Sequence, residues 1–346
     1  MKKPLFTAKT AFLALLFVVL FSFSGFAKPT QEEQAAEEHA TEDVPFKANE
    51  VIIEHVMDAH QWHLTDHLVI PLPIILYSSE KGLDIFSSSH FYNEHHEAVE
   101  YNGYRLEENH IALANSEASV LDFSITKNVA MLFINAALLL TVFLSVASAY
   151  KKNAGKAPKG LQSFIEPVVI FVRDEIVKPN IGHHYQKYLP YLLTLFFFIL
   201  FGNLLGLLPG AGNLTGNIAV TLVLAVLTFL ITNLSGNAAY WKHIFWTPGV
   251  PLWLRPIMLP VELIGIITKP FSLTIRLFVA ITAGHIVLLS LLCLTFIFHS
   301  YFVGIGASLV VLFISMIELL VAGIQAYVFT LFTALYIGMA TTDDHH

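Results

Sequence analysis

The chain has 346 residues, is 55% hydrophobic and only 13% charged, where a soluble protein of this length is about one quarter charged. The formal net charge of −7 is unevenly spread. Lys28 to Asp122 holds 19 of the 26 acids and four of the 19 basic residues, so an acidic polar segment is joined to an apolar domain. No basic face is available for nucleic acid, and the single cysteine, Cys293, excludes a disulfide framework.

The chain opens with Lys2, Lys3 and Lys9, an apolar run from Ala11 to Phe23, and Gly25-Phe26-Ala27. This order of charge, apolar run and small residues predicts a signal peptide over 1–27. The other reading is an uncleaved first helix, for which the run is short. Either way, residues 28–126 are expected to be an exported, periplasmic segment. Lys28 to Asn49 is acidic and poor in apolar residues. Glu50 to Leu72 is mixed and compatible with a short amphipathic helix, broken at Pro71 and Pro73. From Ser78 to Ser124, Tyr, Phe and Gly alternate with polar residues, which suggests short strands. Nine of the 16 histidines lie in this segment. His63 and His67 have the spacing of a helical metal pair, but no HExxH or cysteine partner accompanies them. No metal and no cofactor is expected.

A membrane domain is predicted over 127–346. Asn128 to Tyr150 is long enough to span. The basic loop after it, Lys151 to Lys159, belongs on the cytoplasmic side by the positive-inside rule. Leu161 to Val177 carries Glu166, Arg173 and Asp174 beside an apolar stripe and predicts an amphipathic helix on the cytoplasmic surface. Leu189 to Leu208 and Asn217 to Leu234 read as two more spans. Ser235 to Pro256, with Trp241, Trp246 and Trp253, reads as an interfacial loop. Val261 to Phe298 would be more than about 50 Å long as one helix, against a hydrocarbon core of about 30 Å, and Ala307 to Ala340 is also too long. The expected fold is therefore an all-α polytopic membrane protein with about five crossings and a cytoplasmic-surface amphipathic helix. Its last two helices are long and strongly tilted, and its C-terminus is cytoplasmic.

Ionisable residues inside apolar helices are candidates for function, because each costs about 2.5–3.5 kcal/mol at the membrane centre by insertion scales. Here they are Glu262, Lys269, Arg276, His285 and Glu318, with the polar Gln325. No acid lies within one turn of Arg276, so it faces either an ion pair with Glu262 or Glu318 or something outside its own helix. Glu318 and Gln325 are seven apart and share a face. A histidine and a carboxylate in such a site can pass protons.

The stretch Thr268-Lys269-Pro270-Phe271-Ser272-Leu273-Thr274-Ile275-Arg276-Leu277-Phe278, with Ala283-Gly284-His285 after it, closely resembles the signature helix of subunit a of bacterial F-type ATP synthases. Glu318 to Phe329 resembles that family's final helix, and Ser-Phe-Ile-Glu-Pro at 163–167 and Gly202-Asn203 fit it as well. The resemblance implies a proton-conducting stator subunit of the Fo sector in the cell inner membrane. Its partners would be the c-ring, the b-subunit stalk and the rest of the F1Fo complex, and on its own it is not an enzyme. Arg276 then matches the arginine that faces the c-ring carboxylate. Gln325 matches the glutamine close to it, Glu262 an acid of the cytoplasmic exit path, and His285 with Glu318 the outer half-channel. Ser272, Lys269 and Asn203 fall on supporting positions. Two departures stand out. The outer pair is histidine then glutamate, where well-known members have an acid then histidine, and a common asparagine four residues after the arginine is Ala280. The rival is a stand-alone proton-coupled secondary transporter, which predicts an inverted repeat that the sequence does not display.

Overall fold

The computed structural model describes residues 58–341 apart from 66–67, 79–80, 93–98, 108–109, 114–119, 154, 209–210, 247–250, 252 and 299–300. The expected signal peptide and the acidic stretch up to Asn49 lie outside the described residues, as does His67.

The chain enters the described region as seven short strands. β1 (Gln61–Thr65) and β2 (Leu68–Pro71) form an antiparallel pair. β3 (Pro73–Ser78) lies between β4 (Gly82–Ser87) and β7 (Val120–Asp122), and β5 (Tyr104–Glu107) pairs with β6 (His110–Leu113). Alternation explains them: on β3, Ile74 and Leu76 are buried and Tyr77 is exposed, as the two-residue period of a strand requires. Ile74 and Leu76 pack with Phe91, Tyr104, Ile111 and Leu113. Asn102 and Gly103, at φ 51° and 70°, make the two-residue turn that such positive φ values suit. The helix compatible with Glu50 to Leu72 is replaced by strand from Gln61 onward, and His63 sits in β1 opposite Val69. Of the pair His63 and His67, His63 thus lies in a strand, and His67 is outside the described residues.

Eight α-helices follow among the described residues. α1 (Lys127–Lys152) has 26 residues and ends on Lys151 and Lys152, cations that suit the negative end of a helix dipole. α2 (Leu161–Phe171) runs into a π-helical turn at Val172–Val177 and a short helix α3 (Lys178–Ile181). α4 (Tyr185–Gly206) and α5 (Ile218–Leu234) come next, and α6 (Ala238–Phe245) turns away from α5 by 102°. α7 (Arg255–Phe298) and α8 (Tyr301–Thr341) have 44 and 41 residues. At about 1.5 Å per residue each exceeds 60 Å, twice the hydrocarbon thickness, so neither can stand upright in a bilayer. Among the described residues, four helical runs are long and apolar enough to cross a membrane, or five if α5 and α6 are one broken span. The membrane domain is thus all-α and polytopic.

α7 packs on α8 and α5, and α8 packs on α4. The core between them holds Leu192, Phe196, Phe197 and Ile199 of α4, Leu273, Leu277 and Ile281 of α7, and Ala326, Phe329, Ala334 and Ile337 of α8. Three polar groups tie helices together. Asn135 of α1 donates to the Phe198 carbonyl at 3.0 Å. Asn203 of α4 donates to the Ala322 carbonyl at 3.1 Å and accepts from Thr215 at 2.6 Å. Asn237 closes the end of α8, its backbone N–H bonding Ala340 O and its amide bonding Thr341 O, both at 2.9 Å; the last carbonyls of a helix need such partners.

Candidate functional site

Three of the candidate residues, Lys269, Arg276 and Glu318, make contacts across the seam between α7 and α8. Three contacts set its register. Gly284 lies against Glu318, where a Cβ at 284 would come within 3.2 Å of Glu318 Oε1. The Arg276 guanidinium stands 4.3 Å over the Phe332 ring, and Lys269 Nζ is 5.3 Å from the Tyr336 ring centre. The α7 numbers fall as the α8 numbers rise, so the two helices run antiparallel.

Glu318 is 4% exposed, and neither carboxylate oxygen has a hydrogen-bond partner among the described residues. It reaches this place because residue 284 has no side chain. His285 is the next residue and is half-buried. The structure therefore brings the expected histidine and glutamate positions to one level of the seam. Gln325 is two turns further along α8 and half-buried. A third member of this row was not visible as functional in sequence: Glu318, Gln325 and Phe332 follow one another at intervals of seven, about 10 Å each along the helix.

Arg276 is half-buried, and its Nη1 is enclosed without a hydrogen bond. Among the described residues no carboxylate forms a salt bridge with it. The two internal partners considered from the sequence are accounted for elsewhere. Glu318 lies against Gly284, eight residues or about 12 Å along α7 from Arg276. Glu262 lies about 21 Å in the other direction, where its charge acts on Lys269 and Tyr240. Among the described residues, then, the guanidinium has an aromatic face and no paired carboxylate.

Beside the seam beyond Arg276, α4, α5 and α8 bring hydroxyls together. Tyr191 OH and Thr228 Oγ1 are 3.0 Å apart, and Thr228 is 3.5 Å from Thr333 Oγ1. A small cavity there is lined by Thr228, Thr232, Asn233, Tyr240, Lys269 and Tyr336, and Thr232 Oγ1 is buried without a hydrogen bond. Pro270, in mid-helix, has no N–H to give, and its carbonyl accepts from Thr274 at 3.0 Å. Ser272 is half-buried on the same segment. Asn203 is not on the seam. It holds the back of α8 at Ala322, one turn from Glu318. Trp246 stacks under Arg255 at 3.8 Å and fixes the start of α7. No group of three His, Cys, Asp or Glu side chains suited to a metal occurs among the described residues.

Comparison with known proteins matches residues 129–338 to the family described as ATP synthase A chain. Residues 51–132 match a separate family described as a domain of unknown function, DUF8433. ATP synthase subunit a 2 of Chlorobaculum tepidum is 49% identical over 245 residues, which is 68% of this chain and 69% of that one. ATP synthase subunit a of Chloroherpeton thalassium is 45% identical over 242 residues, covering 68% and 72% of the two chains. The Anaeromyxobacter protein of the same name is 40% identical over 293 residues, covering 82% and 70%.

Proposed function

This chain belongs to the ATP synthase A chain family, and from that premise we propose that it is the proton-conducting stator subunit of the Fo sector, with Arg276 facing the c-ring carboxylate. It is a subunit of a complex and not a stand-alone enzyme. The observation that carries the reading is the state of Arg276. A guanidinium in an apolar helix, with Nη1 enclosed and no carboxylate paired with it among the described residues, calls for an anion that another chain brings.

Protons enter from the outer side past His285 and Glu318 and neutralise a c-ring carboxylate. The ring turns, and the proton leaves on the far side of Arg276 past the hydroxyls beside the seam towards Glu262 and the cytoplasm. Arg276 separates the two half-paths, because its fixed positive charge repels a proton that would cross directly. The lengths of α7 and α8 support this reading, since two tilted helices present a continuous flank along which a ring can move. Lys269, Ser272 and Asn203 act as supporting residues, and Gln325 lies on the same row of α8, between Glu318 and Phe332.

The chain lies in the cell inner membrane, with residues 28–126 exported behind a signal peptide over 1–27 and the C-terminus in the cytoplasm. The b-subunit stalk and the remainder of F1Fo are its other partners. Isolation in mild detergent tests the assignment. Recovery of a ring of small hairpin subunits with soluble ATPase subunits is the expected result. Recovery of a homodimer alone would instead support the secondary transporter. ATPase stimulation measured against Na⁺ at fixed pH decides the coupling ion, and no Na⁺ dependence is expected.

A further inference from the structure

We infer that Phe332 is the positioning residue for Arg276, holding the guanidinium at its place on the seam by the face of its ring; this rests on the function proposed above. Three observations carry it. The guanidinium carbon is 4.3 Å from the Phe332 ring centre, well inside the range of a cation–π contact. Nη1 is enclosed with no hydrogen bond, and no carboxylate among the described residues pairs with the group. Phe332 also continues the row of Glu318 and Gln325 on α8, so the ring sits on the face that carries the other candidate residues. One turn later Tyr336 meets Lys269 in the same way, at 5.3 Å. Both cations of this part of α7 are thus met from α8 by aromatic rings and not by acids.

The choice of an aromatic ring has a chemical consequence. A carboxylate at 332 would neutralise Arg276 and compete with any anion arriving from outside. A hydroxyl or amide would occupy one of its donors. A benzene face attracts the cation through its quadrupole and has no lone pair to take an N–H bond or a proton. Phe332 therefore fixes the charge without occupying any N–H donor of the guanidinium, so the donors other than those of the enclosed Nη1 stay open to a carboxylate on another subunit. The ring is also apolar, so it keeps water away from one side of the arginine. A leucine would fill much of the same space without attracting the cation.

The test uses the whole complex in inverted membrane vesicles, with Phe332 replaced by phenylalanines carrying one, two and three fluorines. Size changes little along that series, while the ring's attraction for a cation falls stepwise. ATP-driven proton pumping is expected to fall stepwise with it, and Phe332→Leu should pump about fivefold less than the parent, in keeping with loss of a partly exposed cation–π contact. Pumping that is flat along the fluorine series, or unimpaired in Phe332→Leu, would overturn the assignment. Arg276→Ala is measured in the same vesicles. If it pumps normally, the proposed function itself falls; if it is inactive while the fluorine series is flat, only the role of Phe332 falls.

Discussion

Arg276 was legible because a charge in a run of Leu, Ile, Phe and Val is conspicuous, and the cost of placing it there demands a reason. His285, Glu318 and Glu262 stood out on the same ground. Phe332 did not, since one more phenylalanine among 28 carries no signal by itself. Only the interval of seven from Glu318 and Gln325 marks it, and that interval gains meaning once α8 is laid against α7. Asn203 was legible as a position but not in its action. It is 1% exposed, and its amide bridges Thr215 and the Ala322 carbonyl. Asn203→Ala leaves the buried Thr215 hydroxyl unmatched, at about 1–3 kcal/mol, and removes the link to α8. The solubilised complex should therefore show a lowered melting temperature in a thermal scan. An unchanged midpoint would mean that water or a neighbour replaces the amide.

Helices were read within a few residues of their observed limits wherever length and hydropathy decide. α7 starts at Arg255, six residues before the apolar stretch at Val261, because the Trp246–Arg255 contact and the loop before it set its start. The π-helical turn at Val172–Val177 left no mark in the sequence. Its extra residue per turn serves packing against α4 and α8, which local pattern does not encode. One glycine at an element contact was equally hidden. Gly338 of α8 lies on the backbone of Asn180 in α3, and a Cβ there would collide with the Asn180 carbonyl. Backbone cannot yield as a side chain does, so Gly338→Ala should push the two elements apart. Overpacking of this kind costs about 1–3 kcal/mol or more. Immunoblotting of membranes should reveal markedly less assembled subunit, whereas Gly323→Ala, with open space at its Cβ, should accumulate normally.

On the scale of the whole molecule, the strands and the membrane domain are joined through the first turn of α1. Asp58 Oδ1 accepts from Asn128 N at 3.1 Å, and Lys127 N bonds Ala59 O at 2.9 Å, which satisfies amides that a helix start leaves open. The unassigned family match, ending at residue 132, includes that turn. Nearby, His60 is buried and bonds Asp122 at 3.1 Å. Burial alone would raise the Asp122 carboxyl, but the hydrogen bonds from His60 and Ser124 outweigh it and hold the carboxyl below its ordinary 3.8. Because the folded value is the lower one, this contribution to stability is complete above about pH 4. It is lost as pH falls through the folded value. Hydrogen-exchange protection of residues 58–126, corrected for the intrinsic effect of pH, should drop below pH 4, and Asp122→Asn should weaken protection already at pH 7 and flatten that response. The role of Arg276 on the seam is decided by ATP-driven proton pumping of Arg276→Ala complexes in inverted vesicles. Assembled complexes that pump no protons are the expected result; pumping close to that of the parent would overturn the proposed function.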